Sequence, residues 1–279
     1  MNAVTTLAPL AAADFGAYYA AVHGFTPFPW QQALVDHLAA GRGWPQALDL
    51  PTAAGKTSAL DAALFHLALE AGLPPAERRA PLRIALVVDR RLVVDGAFTH
   101  AGRIAAALGT AETAPAAAPV LRAVAARLRV LAGTTAGSPA PVLAVERLRG
   151  GVPRENAWAG SPCQPLLLLS TVDQLGSRLL FRGYGLSEFA RPLHAGLLGE
   201  DTLILLDEAH LSAPFLDTVR AVERYCGPDW RETPPLRPVA IVPLSATQAE
   251  APADALRLSP EDHAHPQLSA RLRAAKPAE

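Results

Sequence analysis

The chain has 279 residues, 50% hydrophobic and 18% charged, which is enough to bury one large core or two small ones. A formal net charge of -1 removes bulk electrostatics as a pointer to nucleic acid, so any basic surface must be local. Two distant cysteines, Cys163 and Cys226, without C-x-x-C spacing argue against a zinc site or a disulfide framework and fit a reducing cytoplasm. No apolar run is long enough to span a bilayer, so no membrane partner is expected.

In chain order, residues 14–40 predict two helices parted by the turn Pro27-Phe28-Pro29. Residues 47–50 predict a short strand, 57–71 a helix, 84–88 a buried strand and 92–108 a further helix. The Ala- and Pro-rich stretch 109–119 reads as a loop. Then follow a helix at 121–131, a strand at 142–145, a long loop at 150–165, a strand at 166–169 and a helix at 172–181. Strands at 203–206 and 239–242 complete a sheet of six or seven members, and the residues after Gln248 read as a linker. Strands alternating with helices predict an α/β domain with a mainly parallel sheet.

The chemistry-bearing motifs lie where strands end. Pro51-Thr52-Ala53-Ala54-Gly55-Lys56-Thr57-Ser58 joins a strand to a helix. A phosphate chain needs converging backbone N–H donors, small residues where the backbone approaches it, and a helix N-terminus aimed at the charge. Here Thr52, Ala53, Ala54 and Gly55 form the loop, Lys56 reaches the β- and γ-phosphates of ATP, and the Thr57 hydroxyl suits Mg²⁺. Leu50 stands where the strict G-x-x-x-x-G-K-S/T pattern has its first glycine. Of 25 basic residues only Lys56 and Lys276 are lysine, so this position calls for an ammonium rather than a guanidinium.

Asp207-Glu208-Ala209-His210 follows the apolar run Leu203-Ile204-Leu205-Leu206. An acidic pair at the C-terminal end of a buried parallel strand is where α/β sheets place ligand chemistry. Asp207 is expected to hold Mg²⁺ and Glu208 to position or deprotonate the attacking water, with Lys56 and His210 completing the catalytic set. Ser245-Ala246-Thr247 follows the next strand, where Ser245 and Thr247 can bond His210 and couple ATP state to domain movement. Upstream, Gln31 (with Gln32 in reserve) offers a donor and an acceptor that match the Hoogsteen edge of adenine. Arg90, Arg91, Thr171, Gln174, Arg178 and Arg182 suit contacts with nucleic-acid phosphates. His194, His263 and His265 show no partner spacing.

The phosphate loop in its P-T-x-x-G-K-T form, the D-E-A-H run, S-A-T and the Gln31 segment together resemble superfamily 2 helicases of the DExH type. The narrower stretches Val87-Val88-Asp89-Arg90-Arg91-Leu92, Leu148-Arg149-Gly150-Gly151, Ser170 to Gly185 (STVDQLGSRLLFRGYG) and Leu206 to Phe215 (LDEAHLSAPF) resemble the helicase–nucleases of CRISPR type I interference, subtype I-G (formerly I-U). That resemblance runs from about Phe25 to Lys276 and implies a RecA-like three-layer P-loop NTPase domain over residues 25–248. It leaves 1–24 as an N-terminal extension and 249–279 as a linker toward a second motor domain. It also implies ATP-driven translocation on single-stranded DNA and recruitment by the guide-RNA surveillance complex. A separate chain is implied for the second motor domain and for an HD nuclease, because Asp36-His37 is reversed and lacks companion histidines. Another superfamily 2 helicase, a restriction translocase, or a non-catalytic nucleotide- or DNA-binding module is the alternative.

Overall fold

The computed structural model describes residues 7–150, 157–233, 237–245 and 252–274. Its layering follows from strand geometry, in which successive side chains face opposite sides. In β2 (Arg83–Val88), Ile84, Leu86 and Val88 enter one core while Ala85 and Val87 enter another. The same split divides Leu167 and Leu169 from Leu166 and Leu168 in β4 (Leu166–Thr171), and Leu203 and Leu205 from Ile204 and Leu206 in β5 (Thr202–Asp207). Burial on both faces explains why these strands read as continuous apolar runs.

The first face is covered by α1 (Phe15–His23), α2 (Pro29–Ala39), α3 (Ala59–Leu69), α4 (Arg91–Thr113) and α5 (Pro119–Ala132). The second is covered by α6 (Val172–Leu179), α7 (Ala190–Gly199) and α8 (Ala213–Tyr225). With β1 (Leu48–Asp49), β3 (Ala144–Leu148), β6 (Ala240–Ser245) and β7 (Leu256–Arg257), the sheet has the order β3-β4-β2-β5-β6-β1-β7. Every pairing in it is parallel. The domain is therefore a RecA-like three-layer α/β fold, in which β6 separates the strand before the phosphate loop from the strand before the acidic pair. No helix of the described residues is long and apolar enough to cross a membrane.

Several expectations are corrected. The predicted loop at 109–119 is mostly helix: α4 continues to Thr113, burying Leu108 and Ala111, and α5 starts on Pro119. Proline at the first helical position forfeits only an N–H that has no partner there. The strand expected at 142–145 lies two residues later, at Ala144–Leu148. Helices α7 and α8 occupy stretches for which the sequence reading gave no element.

The largest correction concerns the expected linker. Residues 252–274 fold back as β7, α9 (Pro260–Ala264) and α10 (Pro266–Ala274), and Leu268 is fully buried in the first core. Ser259 caps α9, its Oγ accepting from the Asp262 N–H while Asp262 accepts from the Ser259 N–H. Asp262, itself buried, also accepts from the Trp30 N–H at 2.8 Å, tying this segment to α2. Arg257 pairs with Asp49 of β1.

At the opposite end of the sheet, Asp201 holds three segments together. It receives Arg78 at 2.7 Å and Arg237 at 2.7 Å, and the Leu82 N–H donates to it. The two guanidiniums keep its carboxyl below the usual range despite the opposing effect of burial.

Candidate nucleotide site

The phosphate loop turns on two residues of positive φ, Ala53 at +72° and Gly55 at +80°. Glycine meets that demand without strain, whereas alanine at Ala53 is held there by the surrounding loop. After Gly55 the chain enters a short 3₁₀ turn, Lys56–Ser58, and then α3. Trp30 braces the loop from outside, its Nε1 donating to the Ala54 carbonyl at 3.0 Å. Ser58 closes the run expected to bind nucleotide, but its hydroxyl lies buried against the Tyr19 hydroxyl at 2.9 Å.

β5 delivers the acidic pair to the same place. Lys56 Nζ lies 3.1 Å from Glu208 Oε1 and 3.7 Å from Asp207 Oδ1. Burial raises the Asp207 carboxyl above its ordinary range, with Lys56 acting against it. Glu208 sits in the left-handed region at φ +47°, a conformation costing about 1–3 kcal/mol for a non-glycine residue. Its N–H donates to the Leu244 carbonyl of β6 at 2.9 Å and to Asp207 Oδ1 at 3.1 Å, which fixes the turn. His210 Nδ1 is 3.5 Å from Glu208 Oε2. A cleft of about 600 Å³ opens here, lined in part by Thr52, Arg90, Asp207, Glu208 and His210. The chemistry of the donors suits magnesium, a hard cation that takes oxygen ligands: the Asp207 carboxylate and the Thr57 hydroxyl, the latter in the middle of the short helical turn.

Other expected site residues divide. Ser245 ends β6 in register with Asp49, one strand from the acidic pair; Thr247, like Gly151 and Lys276, lies outside the described residues. Gln31 is 1% exposed, and its Oε1 accepts from the Phe28 N–H at 2.8 Å. Its acceptor thus caps α2 rather than facing outward to a base, and its Nε2 is 3.6 Å from where a Cβ on Gly55 would stand. Gln32 instead bonds the Ala12 carbonyl and Asp36.

The expected nucleic-acid contacts differ in exposure. Arg90, Arg91 and Arg182 are exposed, but Arg90 lines the cleft beside Glu208 and Arg91 lies across Gly150. Thr171 and Arg178 are buried, and the Arg178 guanidinium bonds the Gln174 carbonyl and Oε1 at 2.9 Å. Both are corrections: neither offers its polar group to a phosphate on the surface, and Gln174 is engaged with Arg178.

The sequence reading missed how Phe28 is enclosed. Arg271 of α10 stacks over its ring at 5.2 Å, and His265 meets it edge-on at 5.2 Å. The signal was present in Ser259-Pro260-Glu261-Asp262, a helix start with a capping pair three apart.

No family model matches the chain, and no curated protein matches it. Among solved structures it is similar to the yeast DEAD-box splicing factor Prp28, with a TM-score of 0.49 and 14% identity over 88% of this chain. The chain spans about half of that structure's length, 48%.

Proposed function

We propose that the chain is an ATP-binding and ATP-hydrolysing motor domain of a superfamily 2 helicase. The observation that carries this reading is the convergence of Lys56 on Glu208 and Asp207, bringing a phosphate-loop cation and an acidic pair from two separated strands within 4 Å of each other. Lys56 moves from the carboxylates onto the triphosphate of ATP, which releases Glu208. Glu208 then orients a water for attack on the γ-phosphorus and takes its proton as the new P–O bond forms and the bond to the β-phosphate oxygen breaks. Magnesium, held by Asp207 and Thr57, neutralises phosphate charge when bound. His210, against Glu208, passes the state of the site toward Ser245 and Thr247.

We further propose that the nucleic acid is single-stranded DNA and that the setting is CRISPR type I interference, joined through the guide-RNA surveillance complex. Support for this finer reading is the sequence resemblance across the Val87–Leu92, Ser170–Gly185 and Leu206–Phe215 stretches. Arg91 and Arg182, both exposed, are the side chains left to meet the DNA backbone. A second RecA-like domain, in this polypeptide or another, supplies the arginines that neutralise transition-state charge.

The test is MgATP hydrolysis with and without single-stranded DNA, alone and with a second motor domain supplied in cis or in trans. The expected outcome is slow turnover alone and a rise of about 10³–10⁵ on completing the cleft, the span known for such arginines. An absence of MgATP binding by the folded chain overturns the reading. Stimulation by RNA but not DNA overturns the finer one.

A further inference from the structure

Behind the phosphate loop, three helices bring metal-ligand side chains to one point. His23 ends α1, Asp61 lies in the first turn of α3 and His100 lies in α4. His23 Nε2 is 2.8 Å from Asp61 Oδ1 and His100 Nε2 is 2.6 Å from Asp61 Oδ2. The ligand atoms of all three residues fall within 4.8 Å of one another. The imidazoles are stacked, with centroids 4.7 Å apart and planes 20° from parallel.

We propose that His23, Asp61 and His100 form a binding site for a divalent transition metal of the zinc class, which clamps α1 and α4 to the helix that follows the phosphate loop. Two imidazoles and one carboxylate are a common donor set for such ions and leave coordination positions for water. The cysteine count that argued against zinc does not bear on a site built from histidine and aspartate.

The carboxylate is the main reason to look for a cation. Asp61 is wholly buried, and an ionised carboxylate out of water is costly unless opposite charge accompanies it. Both of its oxygens turn to imidazoles. One divalent ion supplies that charge and bonds both rings through neutral nitrogens.

The Tyr18 hydroxyl adds a second sign. It is buried within electrostatic reach of Asp61 and has no hydrogen-bond partner among the described residues. A water on the metal would give it one. Bonds of about 2.0–2.2 Å in a tetrahedral site place neighbouring ligand atoms about 3.4 Å apart, so each imidazole must draw back from Asp61 by about 0.6–0.8 Å. Ligation needs each Nε2 unprotonated, with its proton on Nδ1. His100, with 17% of its side chain exposed, forms the entry side, whereas His23 is 1% exposed.

The experiment uses the full chain, stripped with chelator and reloaded with Zn²⁺ or Co²⁺, beside His100→Asn. Asparagine removes the ligating Nε2 and is a poor ligand for these ions. The expected results for the native chain are one Zn²⁺ per chain by mass spectrometry, visible Co²⁺ absorption and a rise in melting temperature on Zn²⁺ addition. All three are lost in His100→Asn. Equal metal content and equal thermal response in the two proteins overturn the proposal and leave a hydrogen-bonded His–Asp–His cluster. If the variant does not fold, the native chain decides: no stoichiometric Zn²⁺ and no Co²⁺ spectrum overturns the site. None of these readouts involves ATP, so failure here leaves the nucleotide reading untouched.

Discussion

Lys56 Nζ rests 3.1 Å from Glu208 Oε1, so the one lysine among the described residues is already paired with the residue proposed to position water. Incoming phosphates must take it from that carboxylate. Lys56→Ala should weaken MgATP binding by about 10–100-fold, the scale of a charged hydrogen bond of about 1.5–3 kcal/mol. Titration calorimetry measures this, and unchanged affinity would take Lys56 out of the site.

Glu208→Gln removes the competitor for Lys56 along with the base. The expected result is ATP affinity equal to or above that of the native chain, with turnover lost. A fall in affinity would mean that Glu208 supports the metal or the turn at φ +47° rather than the water.

His194 gives a pH prediction. It is buried against Trp158, and burial together with the nearby Arg178 lowers its pKa to about 4. Unfolded, it titrates near about 6.5, so between these values the unfolded chain binds the extra proton. Its depressed pKa therefore contributes stability that is full above pH about 6.5 and is lost as pH falls toward about 4, at up to about 1.4 kcal/mol per pH unit. His194→Phe should flatten this part of the stability profile in urea melts at stepped pH. A slope identical to the native one would place the titration elsewhere.

Asp262→Ala should destabilise the domain, because the Trp30 N–H and the Ser259 cap lose their acceptor together. A buried donor left unpaired costs about 1–3 kcal/mol. The urea midpoint should fall without a change in slope. An unchanged midpoint would mean that 252–274 docks without contributing to the fold.

Asp201→Asn removes the charge shared by Arg78 and Arg237. Breaking a buried pair from one side costs about 3–5 kcal/mol, and the carboxyl is partly exposed, so the lower end is expected. Because its folded pKa is depressed, the native contribution holds above the usual carboxylate range and disappears as acid protonates the folded form. The variant should show a weaker acid dependence there; an identical acid limb would remove Asp201 from that role.

The buried strands and the loops that end them were legible because a parallel sheet covered on both faces leaves unbroken apolar runs ending in polar residues. Lys56, Asp207 and Glu208 were found by type and position and do meet. What escaped depended on the third dimension. Arg178 looked like a surface cation because its helix is short and polar, yet it turns inward onto Gln174. Gln31 had the composition of a base reader, and only its burial shows it capping α2. The prolines of residues 252–274 suggest a linker, yet Pro260 and Pro266 each open a helix. His23, Asp61 and His100 share no local spacing, and nothing short of folding brings them together.

β1 has two residues, and its backbone partners are β6, through Leu48 with Leu244, and β7, through Leu48 with Leu256. During synthesis, the phosphate loop leaves the ribosome early but its anchoring strand has no neighbour until β6 and then β7 emerge. A nascent chain arrested before Leu244 can assemble β2 to β5 with their helices and still lack a seat for nucleotide. The cleft proposed to hold ATP is therefore completed late, as a report that the far end of the domain has been made and has docked.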